Sequence, residues 1–225
     1  MADPSARYTS LADLPETIPL FPLTGALLLP RADMPLNIFE PRYLAMVERA
    51  MSGARIIGMV QPAVAGAEHK TEKPTLQRVG CAGRITAYAE QADGRILVTL
   101  AGVARFEIVE ELAVETPFRQ ARVDFVRFAD DLVGGHGEEA VDRPKLLKTL
   151  ADYLEAHDLT TDWDAIAGTD TERLVNALAM MSPFGAREKQ ALLEADGLAT
   201  RSEVLIALTE MTLAGGAGNR DSRLQ

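Results

Sequence analysis

The residue types that carry most enzyme chemistry are sparse in this chain: three histidines, one cysteine and no Gly-Lys pair among 225 residues. His69, His136 and His157 lie far apart, and none stands at ligand spacing from Cys81, so no metal-ligating set is expected. They read as solvated loop or helix-end side chains, His157 favouring the negative end of a helix dipole. A phosphate cradle needs Gly-x-x-x-x-Gly-Lys-[Ser/Thr], so that backbone N–H groups and the lysine converge. Here Lys70-Thr71 and Lys148-Thr149 follow His69 and Leu147 instead. There is no Gly-x-Ser-x-Gly turn to present a serine nucleophile. Cys81 would need exposure and a neighbouring base or cation to become reactive. It alternates with Val79 on an apolar strand face and reads as a small buried hydrophobe. Glu110-Glu111 and Asp130-Asp131 are sequence neighbours, which on a strand point to opposite faces, so they read as solvated charge. The expectation is therefore a protein with no catalytic, metal or cofactor-binding residues.

Residue types suited to binding are clearer. Leu36, Ile38 and Phe39 are apolar within a proline-bent segment, and Arg42 and Tyr43 follow at the start of a helix. Aromatic residues and arginine are the types that anchor protein interfaces, which makes Phe39, Arg42 and Tyr43 the candidate polypeptide-binding residues. The competing reading is structural: Phe39 and Tyr43 lock the helix to the strands, and Arg42 pairs with Glu40. Met180-Met181-Ser182-Pro183-Phe184 is a second candidate, because methionine adapts to varied partners. By helical spacing, though, Met181 belongs to the core face.

These candidates need elements to hold them, and Ile18 to Gly53 organises the rest. It is mostly apolar but carries prolines at 19, 22, 30, 35 and 41, which rule out one long helix or a central strand. It reads as short extended pieces ending in a helix that starts at Pro41 and stops at Gly53. Strands are expected at Arg55–Gln61, Val79–Glu90, Arg95–Ala101, Ala104–Leu112 and Phe118–Phe128, with a hairpin at Asp93-Gly94. Pro62–Gln77 reads as an exposed loop. Short strands joined by Gly and Pro turns indicate a partly closed β-barrel of about six strands with one helix.

Beyond Gly134-Gly135-His136-Gly137 every periodic segment is helical: Arg143–His157, a helix opened by a capping box at Thr169–Glu172, Arg187–Ala195, and another opened by Thr200–Glu203. The division is then a flexible arm (1–14), a barrel (15–129), a linker (130–142), a helical bundle (143–214) and a disordered tail (215–225), an α+β fold. Charge shifts at the same place. Residues 1–129 hold 14 basic and 15 acidic side chains, whereas residues 130–225 hold 9 and 18. That balance, with a pI near 4.9, opposes non-specific nucleic-acid binding. A single cysteine, no apolar stretch near the roughly 20 residues of a membrane span and no apolar signal core point to a cytoplasmic protein.

Three sets of residues carry a resemblance. Pro19-Leu20-Phe21-Pro22-Leu23, Leu29-Pro30 and Pro35-Leu36-Asn37-Ile38-Phe39-Glu40-Pro41-Arg42-Tyr43 form the first. Val79–Ile85, with Gly83 where alanine is more usual, Asp93-Gly94-Arg95 and Leu100–Phe106 form the second, and Glu188–Glu194 the third. Together they resemble the N-terminal substrate-binding domain of the ATP-dependent protease Lon over about residues 16–212. The resemblance implies a PUA-like β-barrel followed by a helical bundle, and recognition of unfolded or tagged polypeptides. It also implies a stand-alone member without the ATPase and protease parts, acting as an adaptor for, or modulator of, proteolysis or protein quality control. It transfers no catalytic residues. The alternatives are RNA binding, known for PUA-like barrels elsewhere, and small-molecule binding or hydrolysis in a pocket between barrel and bundle.

Overall fold

In the computed structural model, which describes residues 8–66 and 73–221, the chain runs β1 (Thr17–Pro22), β2 (Asp33–Ile38), α1 (Pro41–Met51), β3 (Ile56–Val60), β4 (Val79–Glu90), β5 (Ile96–Glu111) and β6 (Arg119–Asp124). Two 3₁₀ turns follow, Val126–Leu132 and Glu138–Ala140. The helices α2 (Arg143–Ala156), α3 (Trp163–Ala167), α4 (Thr171–Met181), α5 (Ala186–Glu194) and α6 (Leu198–Asp221) complete it. The prolines phase the opening as their chemistry requires. Pro41 opens α1, where its missing N–H has no intrahelical partner to lose. Pro35 sits in β2, which pairs with β5 alone.

The strands close on themselves. β5 pairs with β4, β4 with β3, β3 with β1 in parallel, β1 with β6, and β6 returns to β5. The closure depends on the length of β5, which was expected as two strands but runs 16 residues straight through Gly102. Its first half pairs with β2 and its last residues with β6, so one strand serves two edges. Register shifts between Ala82 and Gly83, and between Ile85 and Ala87, bend the β4–β5 pair. At Gly102 the Leu29–Pro30 backbone crosses so closely that an added Cβ would lie 2.0 Å from the Leu29 carbonyl oxygen. Arg31 N–H donates to the Gly102 carbonyl and Gly102 N–H to that of Ala32, both at 2.8 Å. The turn at Asp93-Gly94 is where the sequence placed it, with Gly94 at φ +83°.

Several local expectations are displaced. β6 ends at Asp124, and the chain turns into 3₁₀ conformation where a strand was expected to reach Phe128. Neither capping box forms. Asp170, not Thr169, precedes α4 and makes no side-chain cap; instead the Glu138 carboxylate accepts from the Glu172 N–H at 2.7 Å. The Thr200–Glu203 segment lies inside α6, which starts at Leu198. α6 also continues past Gly215, where the helix was expected to stop, as far as Asp221. Of residues 1–14, those described include Tyr8 and Leu14, both buried against the barrel. His69, and with it the middle of the Pro62–Gln77 loop, lies outside the described residues.

Two apolar cores result. One is internal to the barrel and gathers Ile18, Leu20, Phe106, Val123 and Phe125. The other is shared: Leu28, Leu29, Met46, Leu100 and Phe128 from the first half pack in one cluster with Leu146, Val175, Leu192 and Leu205 from the bundle. Buried polar pairs reinforce that junction. Arg105 grips Asp131 through two guanidinium hydrogen bonds of 2.8 Å and donates to the Leu193 carbonyl on the bundle side at 3.0 Å. Arg31 pairs in the same fork-to-fork manner with Glu172 of α4 and donates to the Asp131 carbonyl at 2.6 Å. Asn176 donates to the Pro30 carbonyl at 3.0 Å and accepts from Arg201 at 2.9 Å, and Gln61 donates to Gln190 of α5 at 3.1 Å. Burial pulls the Arg201 guanidinium down to about 10, with the charge of Arg105 adding to the effect, so it stays cationic at neutral pH. Asp131, read from sequence as solvated, is thus buried; it sits in a 3₁₀ turn rather than a strand, while Asp130 stays exposed.

Candidate functional site

The side chains expected to bind polypeptide fare differently. Phe39, just beyond β2, is 64% exposed. Arg42 is engaged internally: its Nε donates to Glu40 Oε2 at 2.9 Å, and its guanidinium lies 4.5 Å from the Tyr43 ring centroid. Tyr43 is only 6% exposed and packs on Phe21 with ring centroids 4.2 Å apart. The three lie together at the entry to α1, but only Phe39 presents substantial free apolar surface. Cys81 is fully enclosed by the shared core, and burial, with the Asp131 charge adding to it, pushes its thiol well above the ordinary range. A thiol held neutral in this way is a packing residue, not a nucleophile. Among the described residues no group of three or more His, Cys, Asp or Glu side chains is placed to hold a metal ion.

The more extensive site is a groove in the bundle, which the sequence touched only at Met180–Phe184. α2 contributes Leu150 and Leu154, the end of α4 and the turn after it contribute Leu178, Met181 and Phe184, and α6 contributes Ile206. Buried Leu146 and Leu205 form its base, and the cavity volume is about 270 Å³. Met181, assigned by spacing to the core, is 81% exposed instead, and Leu159 beside it in the lining is 52% exposed. The cause lies at the end of α4: Leu174, Val175 and Ala179 take the buried face, and Met181 is its last residue.

The lining holds no lysine, arginine, histidine, aspartate or glutamate. Its hydroxyls are mostly turned inward. Ser182 donates to the Leu178 carbonyl, Thr209 to Leu205 and Thr212 to Leu208, at 2.7, 2.8 and 2.9 Å. A hydroxyl satisfied by its own helix offers little to a ligand. The groove is therefore chemically apolar, with no acid–base pair to activate water, and adaptable methionine and leucine side chains stand at its mouth.

The comparisons with known proteins fit this architecture. Residues 17–210 match the family model of the ATP-dependent protease La (LON) substrate-binding domain. The chain belongs to that family. Among curated relatives, the Lon protease of Syntrophus aciditrophicus is 35% identical over 124 residues, covering 53% of this chain and 15% of the relative. Lon protease 2 of Myxococcus xanthus is 27% identical over 202 residues, covering 87% of this chain and 24% of the relative. The chain thus spans about a quarter or less of the length of these Lon proteases. Two solved structures share the fold. A Lon N-terminal domain protein from Xanthomonas campestris has a TM-score of 0.60 at 22% identity, covering 85% of this chain and 97% of that one. The N-terminal domain of the Mycobacterium avium complex Lon protease has a TM-score of 0.63 at 18% identity, covering 86% and 98%. The matched family model describes the substrate-binding part of the Lon protease. Among the described residues no helix is long and apolar enough to cross a membrane.

Proposed function

We propose that this chain is a non-catalytic polypeptide-binding module that holds apolar segments of unfolded or client proteins, and that it serves proteolysis or protein quality control as an adaptor or modulator. The observation that carries the reading is the open, uncharged groove between α2, α4 and α6, in a member of a substrate-binding family. An apolar face left in water is costly unless a partner covers it part of the time, and patches of this kind mark interaction sites. Groove-binding of apolar side chains needs no chemistry beyond desolvation and shape, and the lining supplies both. Phe39 offers a second contact point at the barrel end, of the residue type that anchors interfaces.

The test is fluorescence anisotropy with a labelled, reduced and carboxymethylated globular protein that stays unfolded in buffer. Saturable binding, weakened by Met181→Ser and competed by unlabelled unfolded protein but not by its native form, is the expected result. No saturable binding by the folded chain would overturn the reading. Pairing the chain with a Lon protease and measuring degradation of the same probe tests the adaptor role separately.

A further inference from the structure

The bundle groove has a chemical bias that an apolar lining alone does not give. No lysine or arginine occurs from residue 149 to residue 172, whereas Asp152, Glu155, Asp158, Asp162 and Asp164 all lie there and are all exposed. Glu155 and Asp158 are sequence neighbours of Leu154 and Leu159, which line the groove. The basic side chains nearest in sequence are occupied: Lys148 donates to Asp152 at 2.7 Å, Arg173 lies 3.8 Å from Asp170, and Lys145 lies 4.0 Å from Glu210. Two helices also end at this site. α2 closes at Ala156 and α4 at Met181, and lining residues come from the last turn of each. Helix C-termini carry partial negative charge; at α2 this reinforces the carboxylates, whereas at α4 Lys189 Nζ lies 3.4 Å from the Met180 carbonyl and offsets it. At the α2 end of this mouth the carboxylates are exposed, while the lining itself carries no charged side chain.

The shape bears on the occupant's conformation. Every lining residue belongs to α2, α4, α6 or the turns after α2 and α4, and no strand edge faces the groove. Apart from the last carbonyls of α2 and α4, these helical backbones have spent their hydrogen bonds internally, so they offer no ladder for an extended peptide. A ligand entering such a groove must satisfy its own backbone, as an amphipathic helix does.

We infer that the groove between α2, α4 and α6 selects an amphipathic helical segment of a client protein, with an apolar stripe at i, i+3, i+4 and i+7 and lysine or arginine flanking it. This rests on the polypeptide-binding reading above and names the class of segment preferred. The apolar stripe fills the cavity, and the flanking cations sit over Glu155, Asp158 and the end of α2. Because those carboxylates are exposed, the preference is an electrostatic one that salt screens within a Debye length of about 8 Å.

The experiment uses the full chain and two fluorescein-labelled peptides of about 18 residues, five helical turns. They share one leucine stripe and differ only in lysine or glutamate flanks. The lysine-flanked peptide is expected to bind about ten-fold more tightly, in line with focused charge at a cleft. The gap should shrink at a salt concentration on the order of 0.5 M. Met181→Ser and Leu159→Ser weaken both peptides; the double reversal Glu155→Lys, Asp158→Lys inverts the preference. All four positions are exposed; because Asp158 sits at φ +55°, which Asn tolerates better than Lys, Glu155→Lys with Asp158→Asn is measured beside the double reversal, and each variant is checked by its circular-dichroism melt. Equal affinity for the two peptides, or a preference untouched by the charge reversal, overturns the inference. If neither peptide binds but the carboxymethylated protein does, the inference falls and polypeptide binding stands. If nothing binds, both fall.

Discussion

At the scale of single residues, four positions carry consequences out of proportion to their size. Gly102 lets the Leu29–Pro30 backbone cross β5, and a methyl group there would run into a carbonyl oxygen that cannot swing aside as a side chain could. Gly102→Ala should destabilise the fold by about 3 kcal/mol or more, read as a fall in the urea midpoint. Arg105 and Asp131 are both buried and paired through two hydrogen bonds. Removing one partner strands the other charge, so Asp131→Ala should cost about 3–5 kcal/mol, more than the double variant Arg105→Met, Asp131→Leu. Cys81 makes a prediction about pH. Burial raises the folded thiol's pKa, so the folded chain keeps a proton that the unfolded chain releases near pH 8.5. The unfolded state then binds fewer protons above that pH, and stability should decline as pH rises through about 8.5. Cys81→Ala removes that part of the decline, and the native thiol should resist a disulfide reagent until the chain unfolds.

At the scale of elements, the behaviour of α4 is the most instructive. Its buried face, Leu174, Val175 and Ala179, is satisfied within the molecule, and its last residue, Met181, is left at the mouth of the groove. Substitutions at the two places should therefore separate. Met181→Ser should alter stability by no more than about 0.5 kcal/mol while weakening polypeptide binding. Leu192→Ala in α5, at a side chain enclosed in the shared core, should cost about 2–5 kcal/mol. Chemical denaturation and anisotropy on the same two variants read both effects. The start of α4 shows why its sequence signal misled. Glu172 has capping-box spacing from Thr169, but its carboxylate is taken by Arg31 and by the Gly135 N–H, and Glu138 caps the helix from outside. A partner 141 residues away in the chain outcompeted a local one.

At the scale of the whole molecule, barrel and bundle share a core rather than meeting across a free hinge. The segment between them, residues 130–142, is anchored by Asp131 to β5 and by Gly135 and Glu138 to α4. A molecule built this way should unfold in one transition. In a Tyr153→Phe, Trp163→Phe background, the near-ultraviolet signal of Tyr8, Tyr43 and Tyr88 in the first half and the far-ultraviolet helix signal are expected to melt together. Two separated melts would show that the two halves are independent. The shared core also explains how a groove confined to the bundle stays in shape: α4 and α5 are braced from behind by the barrel through Arg31, Asn176 and Gln61.

What the sequence by itself determined was local and periodic. Proline spacing phased the opening, alternation marked the apolar faces of β4 and β5, Asp93-Gly94 set the hairpin, and the motif strings placed the chain in its family. These signals survive in one dimension because neighbouring residues produce them. Tertiary structure alone decided the rest. It made β5 one strand that closes the barrel, buried Asp131, packed Tyr43 against Phe21, and turned Met181 outward to open a groove. Each of those outcomes depends on contacts between residues distant in the chain, where packing and desolvation outweigh the preferences of any single segment.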